Sequence, residues 1–550
     1  PPPLFSTPTR DTPTKSVRLG LSSVKRDREL GIMRNGMGAY AENNLEKLAA
    51  ADEKLNALNA DLIESKCLSR IKPDDDDFIF IQDRNPNENL RLMFKRHARA
   101  VLKLKKCLIL SPYTASLLFR NEEFDNFDVL IVDEASQLEP ALVLPVLFRS
   151  KQCVIVGDEW QMPPIKHFAT LAPVTDDGEE GYGSLEPEIS VLGLALRNEG
   201  FPVEELICHY RSNTESLIKF SQEAFYPNMR TFPAPVPATI PEKGVHGLGL
   251  RDVYVPDGFV SMGRNAAEAD KVVEELNRHF DYYYDEKTHK LSMSVGVIAF
   301  GEAQCSAIEA RVKADTKLYK KIQSALEHFD DLPEKLIFFK TIETVQGQEV
   351  GHVILSITHG KRESGLYMHF GQLNQGKLGR CIFNVAVTRA QSMVTVVHSV
   401  RAAEITGANI EYIKKYLETV ARFGEADSEQ FVSQKADKGF INDVCAYVRS
   451  CGIESERIVT NYGVTEGSVR IPVAVLGKDL KTALLGIWCE RPVGAKYDYL
   501  DYNSSYKNSL IARGWRLHTV YVHDWTDNRQ NEQEALKKAL MAIINKEENN

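Results

Sequence analysis

Short apolar strands recur along this chain with helix-length stretches between them, and that alternation restricts its fold more than any other feature. The strands read from the sequence are Cys107–Leu110, Val129–Val132, Cys153–Val156, Val295–Phe300, Val353–Ile357 and Met393–Val397. Strands spaced in this way predict parallel sheets assembled from βαβ units. They fall into two groups that part near residues 171–205, which predicts two α/β domains in tandem, 40–170 and 206–428, joined by a linker over 171–205. A chain of 550 residues is in any case too long for one hydrophobic core.

Three further stretches complete the plan. Residues 1–39 are rich in Pro, Ser, Thr, Gly and Arg without an apolar period, and read as disordered or loosely attached. Leu45, Leu48, Leu55, Leu58 and Leu62 are spaced for an amphipathic helix from about Ala39 to Leu68. Past a helix near Ile410–Phe423 and a polar stretch at Gly424–Lys438, a third domain is expected over 438–545. It reads as a helix at Phe440–Cys451, strands at Ile458–Val464, Val469–Leu476 and Leu484–Cys489, a helix at Tyr502–Ala512 and a strand at Arg516–Val522.

Composition narrows the function classes. A hydrophobic share of 43% and a charged share of 26% are those of a globular protein, not a fibrous or mostly disordered one. No apolar run reaches the roughly 18 residues of a membrane span, and PPPLFSTPTRDTPTK lacks the apolar centre of a secretion signal. Nine cysteines are scattered with no CxxC pair, which argues against a disulfide framework or a zinc site and predicts a reduced, cytoplasmic protein. A net charge of −9 does not suit a protein that coats nucleic acid by bulk attraction, although a basic groove can sit on an acidic body.

The chemistry-bearing residues come in order. Val129-Leu-Ile-Val-Asp-Glu-Ala-Ser136 is an apolar strand that ends in Asp133 and Glu134. Ligands of open parallel sheets sit at carboxyl ends of strands, where one carboxylate can hold Mg²⁺ and the next can orient or deprotonate a water. Cys153-Val-Ile-Val-Gly-Asp-Glu-Trp-Gln-Met-Pro-Pro164 breaks at Gly157-Asp158 and carries Gln161, a neutral amide able to sense a γ-phosphate. Then follow His209-Tyr-Arg-Ser212 with Arg211, Thr341-Ile-Glu-Thr-Val-Gln-Gly-Gln-Glu349, and Asn384-Val-Ala-Val-Thr-Arg-Ala390 with Arg389. A guanidinium reaching a transferring phosphoryl group can raise its rate by roughly 10³–10⁵.

VDEAS, GDEWQMPP, HYRS, TVQGQE and NVAVTRA resemble motifs II to VI of superfamily 1 helicases, in order. The likeness covers roughly residues 90–530 and is strongest to the Upf-like branch. Within it, the chain looks like defence-associated prokaryotic proteins that follow the helicase core with a Vsr-like endonuclease domain. The resemblance implies an α/β protein of two tandem RecA-like P-loop NTPase domains, the first incomplete, and a C-terminal restriction-endonuclease-like domain. It implies ATP and Mg²⁺ as cofactors and single-stranded DNA or RNA as partner. Asp133 would serve the metal, Glu134 the attacking water, Gln161 the γ-phosphate, and Arg211 and Arg389 would be arginine fingers. The acids and the guanidinium groups would face one another over a shared triphosphate. Gly347, Glu349 and Gln304 would lie with the nucleotide, while Ser111 and Thr344 would touch nucleic acid. Trp160 and Gln348 replace polar or acidic residues usual in close relatives.

The same resemblance exposes two departures. A glycine-rich loop ending in GK[ST] should precede the acids to hold the β- and γ-phosphates, and the sequence has none. Gly371-Gln-Leu-Asn-Gln-Gly-Lys-Leu378 is a near match in the wrong place, ending in Leu378 where Mg²⁺ needs a hydroxyl. Either an N-terminal segment or a subunit supplies the loop, or the chain has lost it; little ATP hydrolysis is expected from these residues alone. In the endonuclease-like part, Pro472 and Trp488 occupy the metal-ligand positions and only Glu490 survives, so a non-cutting domain is expected.

Two charged features remain. Arg91, Lys95, Arg99 and Lys103 recur every four residues, a spacing that puts them on one helix face, either as a solvated stripe or as a phosphate track. Asp74–Asp77 reads as a solvated loop rather than a metal cluster. The sequence thus points to an ATP-dependent DNA or RNA helicase or translocase. A catalytically silent, helicase-shaped scaffold is its rival, and an active nuclease at Glu490 is a third possibility.

Overall fold

The computed structural model describes residues 105–119, 127–164, 189–236, 247–367, 369–424, 439–463, 467–490 and 505–548, with scattered positions between 54 and 102. Residues 1–39, Asp74–Asp77 and the stripe Arg91, Lys95, Arg99 and Lys103 lie outside the described residues. Positions 57–63 are helical, with Leu58 and Leu62 half-exposed. Two compact units emerge: Pro1–Glu159 with Glu188–Val203, and Trp160–Pro187 with Glu204–Asn550.

In the first unit, β1 (Phe127–Val132) and β2 (Ser150–Ile155) pair in parallel, Val129 opposite Gln152 and Ile131 opposite Val154. One face of the pair is buried: Val132, Ala135, Val143, Val191 and Leu192 form its core. The other face is apolar yet open, with Val129 48%, Ile131 66% and Val154 44% exposed. Parallel sheets are normally covered on both faces, because each crossover lays a helix against them.

The sequence reading needs two corrections here. Residues 107–110 form no strand; Leu108 and Leu110 instead pack beside Phe94, Val101, Ala115 and Phe119. The stretch 171–205 is not all linker, because α3 (Val191–Leu196) belongs to the first unit. Ser190 caps it by accepting the Gly193 amide at 3.0 Å, and the Leu192 amide donates to Ala135 O at 3.1 Å. Two earlier helices, α1 (Pro112–Leu118) and α2 (Pro140–Leu147), begin at prolines, which suit the first helical turn.

The second unit holds a five-stranded, wholly parallel sheet. Its strands are β3 (Gly249–Tyr254), β4 (Val295–Ala299), β5 (Ile337–Thr341), β6 (Val350–Ser356) and β7 (Ala390–His398), in the order β3-β7-β6-β4-β5. Successive residues of β6 feed opposite cores. Val353 and Leu355 pack with Phe220, Phe383 and Val394, whereas Ile354 packs with Val272, Leu276 and Ile308. Burial on both faces explains why the sequence shows these strands as continuous apolar runs. The edge strands β3 and β5 escape that pattern. β3 carries Arg251, which binds Glu275, and Asp252, which accepts from His398 at 2.6 Å.

Four histidines of this unit are held neutral. His279 and His352 meet at 3.0 Å between their Nδ1 atoms, and burial pushes His279 down to about 4 and His352 further. Burial also takes His359 and His209 down to about 4. Groups depressed in the folded state leave the unfolded chain binding more protons on acidification, so the stability they contribute is present above pH 6.5 and is lost towards pH 4. Thermal melts should therefore show Tm falling steadily across that window, and a Tm independent of pH there would contradict these burials.

The last part of the second unit is a mixed four-stranded sheet. β8 (Ile458–Tyr462), β9 (Ile471–Leu476) and β10 (Ala483–Glu490) run antiparallel, and β11 (Leu517–Tyr521) joins β10 in parallel. One face packs Val473, Val475, Ile487 and Val520 on Ile441, Val444, Leu536 and Leu540 from the helices Phe440–Ser450 and Arg529–Glu548. The opposite face gathers Tyr462, Ile471, Trp488, Leu510 and Trp515 around Phe232, a residue from far earlier in the sequence. Trp488 is fully buried. Trp488→Ala should lower unfolding free energy by about 3–5 kcal/mol, measurable by urea denaturation.

Candidate functional site

In the first unit the acids sit where β1 stops. Asp133 Oδ1 accepts the Glu134 amide at 2.9 Å, and Glu134 takes a left-handed backbone at φ 51°. Such a conformation is costly for a residue with a Cβ, and its presence at a strand end marks a position held by its surroundings. Those surroundings are the neighbouring strand end: Ala135 N donates to Val156 O at 2.9 Å, and Val156 N donates to Val132 O at 2.8 Å. Gly157 makes the approach possible, since a Cβ there would lie 3.0 Å from the Ser136 amide nitrogen. Both carboxylates are exposed, and Gln137 holds Glu134 Oε2 at 2.8 Å.

A second group of the expected residues converges in the second unit. Trp160 stacks against Phe225 at 5.0 Å between centroids, and its carbonyl accepts from Asn384 Nδ2 at 3.0 Å. Gln161 follows directly and accepts from Gln346 Nε2 at 3.3 Å. Gln346 lies in the turn Val345–Gln348, closed by the Gln348 amide on Val345 O at 3.1 Å. Gly347 occupies the turn's third position at φ +81°, where a side chain would be strained.

The two arginines flank that turn. Arg211 Nη2 pairs with Glu349 Oε1 at 2.8 Å while its side chain stays 40% exposed. Arg389 is buried; its Nε donates to Val385 O at 2.7 Å and its Nη1 to Gln348 O at 3.3 Å. Gln391 completes the cluster by donating to Glu349 Oε2 at 3.4 Å. Gln161, Gly347, Glu349, Arg211 and Arg389 are thus brought together around one turn. His209 closes the loop that presents Arg211: its Nε2 accepts the Ser212 amide at 3.2 Å. Burial, then the charges of Arg211 and Arg513, keep its imidazole neutral and able to accept.

Other expected residues are placed apart. Gln304 is fully buried, accepting the Asn265 amide at 2.8 Å and donating to Asn265 O at 3.1 Å and Ser356 Oγ at 3.2 Å. Those bonds occupy its amide as a tie within the core. Ser111 caps α1 through Thr114 N at 3.2 Å, and Thr344 bonds the Thr341 amide at 3.1 Å; both stay exposed. Gly376-Lys377 opens the helix Gly376–Val387, and Lys377 lies 4.9 Å over the Trp160 ring.

The positions expected to bear metal ligands in the C-terminal sheet are also plain. Pro472 is buried in β9 and Trp488 in β10, and Glu490 ends β10 opposite Tyr521. No group of three or more His, Cys, Asp or Glu is arranged to hold a metal ion among the described residues. Incubation of supercoiled and single-stranded DNA with Mg²⁺ should give no cutting by this chain; cleavage lost in Glu490→Ala would contradict that.

Within the motif-bearing segments, Asn384, Gln346, Trp160 and His209 each make contacts that assemble the cluster. Sequence reasoning assigned none of them a role at the site. Their signal was position alone, inside motif-bearing stretches.

Families described as AAA domain match residues 95–167 and 257–401. An uncharacterized ATP-dependent helicase of Mycoplasma genitalium, MG140, is 28% identical over 372 residues, 65% of this chain and 31% of that protein. The likeness is to ATP-dependent helicases. A probable helicase of Arabidopsis thaliana, MAGATAMA 3, is 27% identical over 282 residues, 50% of this chain and 30% of that one. The chain spans about a third of the length of the curated relatives it matches. Among solved structures, an arterivirus nonstructural protein 10 helicase in complex with DNA is 14% identical, covering 50% of this chain and 40% of that one. Its TM-score of 0.24 is too low to establish a shared fold. No described helix is long and apolar enough to cross a membrane.

Proposed function

We propose that this chain is part of a superfamily 1 motor that hydrolyses ATP to move along, or unwind, single-stranded DNA or RNA. The observation that carries the reading is the gathering of Gln161, the Val345–Glu349 turn, Arg211 and Arg389 into one bonded cluster. Glu134 orients and deprotonates the attacking water. Gln161 distinguishes triphosphate from diphosphate through its neutral amide, and Arg211 and Arg389 supply positive charge as the γ-phosphoryl group departs.

Asp133 fits Mg²⁺ by its chemistry: an exposed strand-end carboxylate with one oxygen on a backbone amide and the other without a protein partner among the described residues. Mg²⁺ takes one or two carboxylates and fills its remaining positions with water and phosphate oxygens, so a fuller protein cage is not needed. When bound, the ion neutralises charge on the β- and γ-phosphates.

The phosphate loop comes from a segment outside these 550 residues. Two observations favour this: the relatives are about three times as long as the matched span, and the apolar face of β1 and β2 stands open. The test is ATP hydrolysis by the full-length natural protein, with and without single-stranded DNA or RNA. Turnover stimulated by either strand supports the motor, and nucleic acid binding with no hydrolysis under any condition overturns it. That second result is what a silent scaffold predicts, a reading favoured by the lack of a GK[ST] loop in the sequence.

A further inference from the structure

The C-terminal sheet and the loop bearing Arg211 are built into each other. Backbone pairing runs through three segments. Arg230 N donates to Ile207 O at 2.5 Å and His209 N to Arg230 O at 2.9 Å; on the other side, Thr231 N donates to Gly467 O at 3.1 Å and Val469 N to Thr231 O at 2.7 Å. Cys208 thereby bridges Arg230, and Thr231 bridges Ser468, both in parallel. Beneath this ladder Glu215, buried, accepts from the hydroxyls of both Thr231 and Ser468. A buried carboxylate is costly unless it is bonded, so these two hydroxyls, one from each side, are needed together.

The segment continues into the C-terminal core. Phe232 packs with Tyr462 and Trp515, Trp515 Nε1 donates to Pro233 O at 2.7 Å, and Ala483 N donates to Pro235 O at 2.7 Å. Arg513 stands at the junction. It ends the helix Tyr506–Ala512, whose turn is closed by Gly514 at φ +88°. Its guanidinium lies 4.9 Å from the Phe232 ring, its Nη1 donates to Ser509 O at 2.9 Å, and its Nη2 reaches His209 O and Ser212 O, each at 3.4 Å. Those two carbonyls bracket Tyr210 and Arg211. The planar fork is thus fixed on its own helix at one end and gathers both ends of the Arg211 loop at the other.

We propose that Arg513 is a positioning residue for Arg211: the C-terminal fold uses its guanidinium to hold the loop 209–212 in the shape that aims Arg211 at its Glu349-lined cluster. The inference rests on the functional reading above for what Arg211 does, but not for how its loop is held. It gives the terminal domain a part in hydrolysis independent of any cutting.

Amide hydrogen exchange on this chain tests the holding directly. Removing a charge-assisted tie in Arg513→Ala should speed exchange at Ser212 and Asn213 by about tenfold or more, while β9 and β10 keep wild-type protection. Arg513→Lys, which keeps the charge without the fork, should fall between. In the full-length natural protein, Arg513→Ala should lower kcat for ATP hydrolysis about tenfold with KM for ATP unmoved, and add no further loss to Arg211→Ala. Unchanged exchange at 212–213, or exchange raised equally throughout the C-terminal sheet, overturns the inference. So does a loss that multiplies with that of Arg211→Ala. If Arg211→Ala itself leaves hydrolysis intact, the functional reading fails, and exchange still decides whether Arg513 holds the loop.

Discussion

Arg211→Ala in the full-length natural protein should cut nucleic-acid-stimulated kcat for ATP hydrolysis by about 10³-fold or more. KM for ATP should change far less, because the charge it answers develops only as the phosphoryl group leaves. Arg211 is the cleaner of the two arginines to test. Its side chain is 40% exposed and its ion pair is with Glu349, so alanine leaves no core void. Arg389 is buried and tied to Val385 O and Gln348 O, so its removal would mix a chemical loss with a structural one. Arg211→Lys should recover little, since an ammonium lacks the planar fork. Steady-state hydrolysis at saturating single strand is the measurement; a loss below about tenfold would remove Arg211 from the chemistry.

Glu134→Gln should be comparably damaging, lowering hydrolysis by about 10²–10⁴-fold while leaving nucleotide binding intact. Glutamine is the informative replacement. It preserves length and accepts the same φ of 51° as readily as glutamate, and it can still meet Gln137, so only the proton-accepting carboxylate is lost. Filter binding with labelled ATP should show retained nucleotide without product. Hydrolysis at the wild-type rate would exclude Glu134 as the base.

The strands legible in the sequence are those dense in apolar residues, whether buried on both faces, as β4, β6 and β7, or on one, as β1 and β2. The apolar stretches read for β4, β6 and β7 match their boundaries within a few residues. β3 was invisible because Arg251 and Asp252 interrupt it, and those charges are satisfied only by Glu275 and His398, far away in sequence. Cys107–Leu110 read as a strand because it is apolar, but pairing depends on a neighbour that local composition does not specify. Helix α3 was hidden in the stretch where the two groups of strands part; its Ser190 cap was the available signal.

For the site, the acidic and basic residues declared themselves by type and order. The amides and rings that gather them did not, because Asn384 or Gln346 looks like any polar residue until the chain folds. Gln304 differs from them: it stands at a motif-like position, and its amide is bonded inside the core.

The ladder through Cys208, Arg230, Thr231 and Ser468 has a practical corollary. A protein cut between residues 424 and 439, to remove the C-terminal sheet, would strip Thr231 of its strand partner and leave Phe232 bare. An orphaned edge beside an uncovered aromatic ring invites self-association, so the trimmed protein should precipitate or oligomerise where the intact chain remains dispersed.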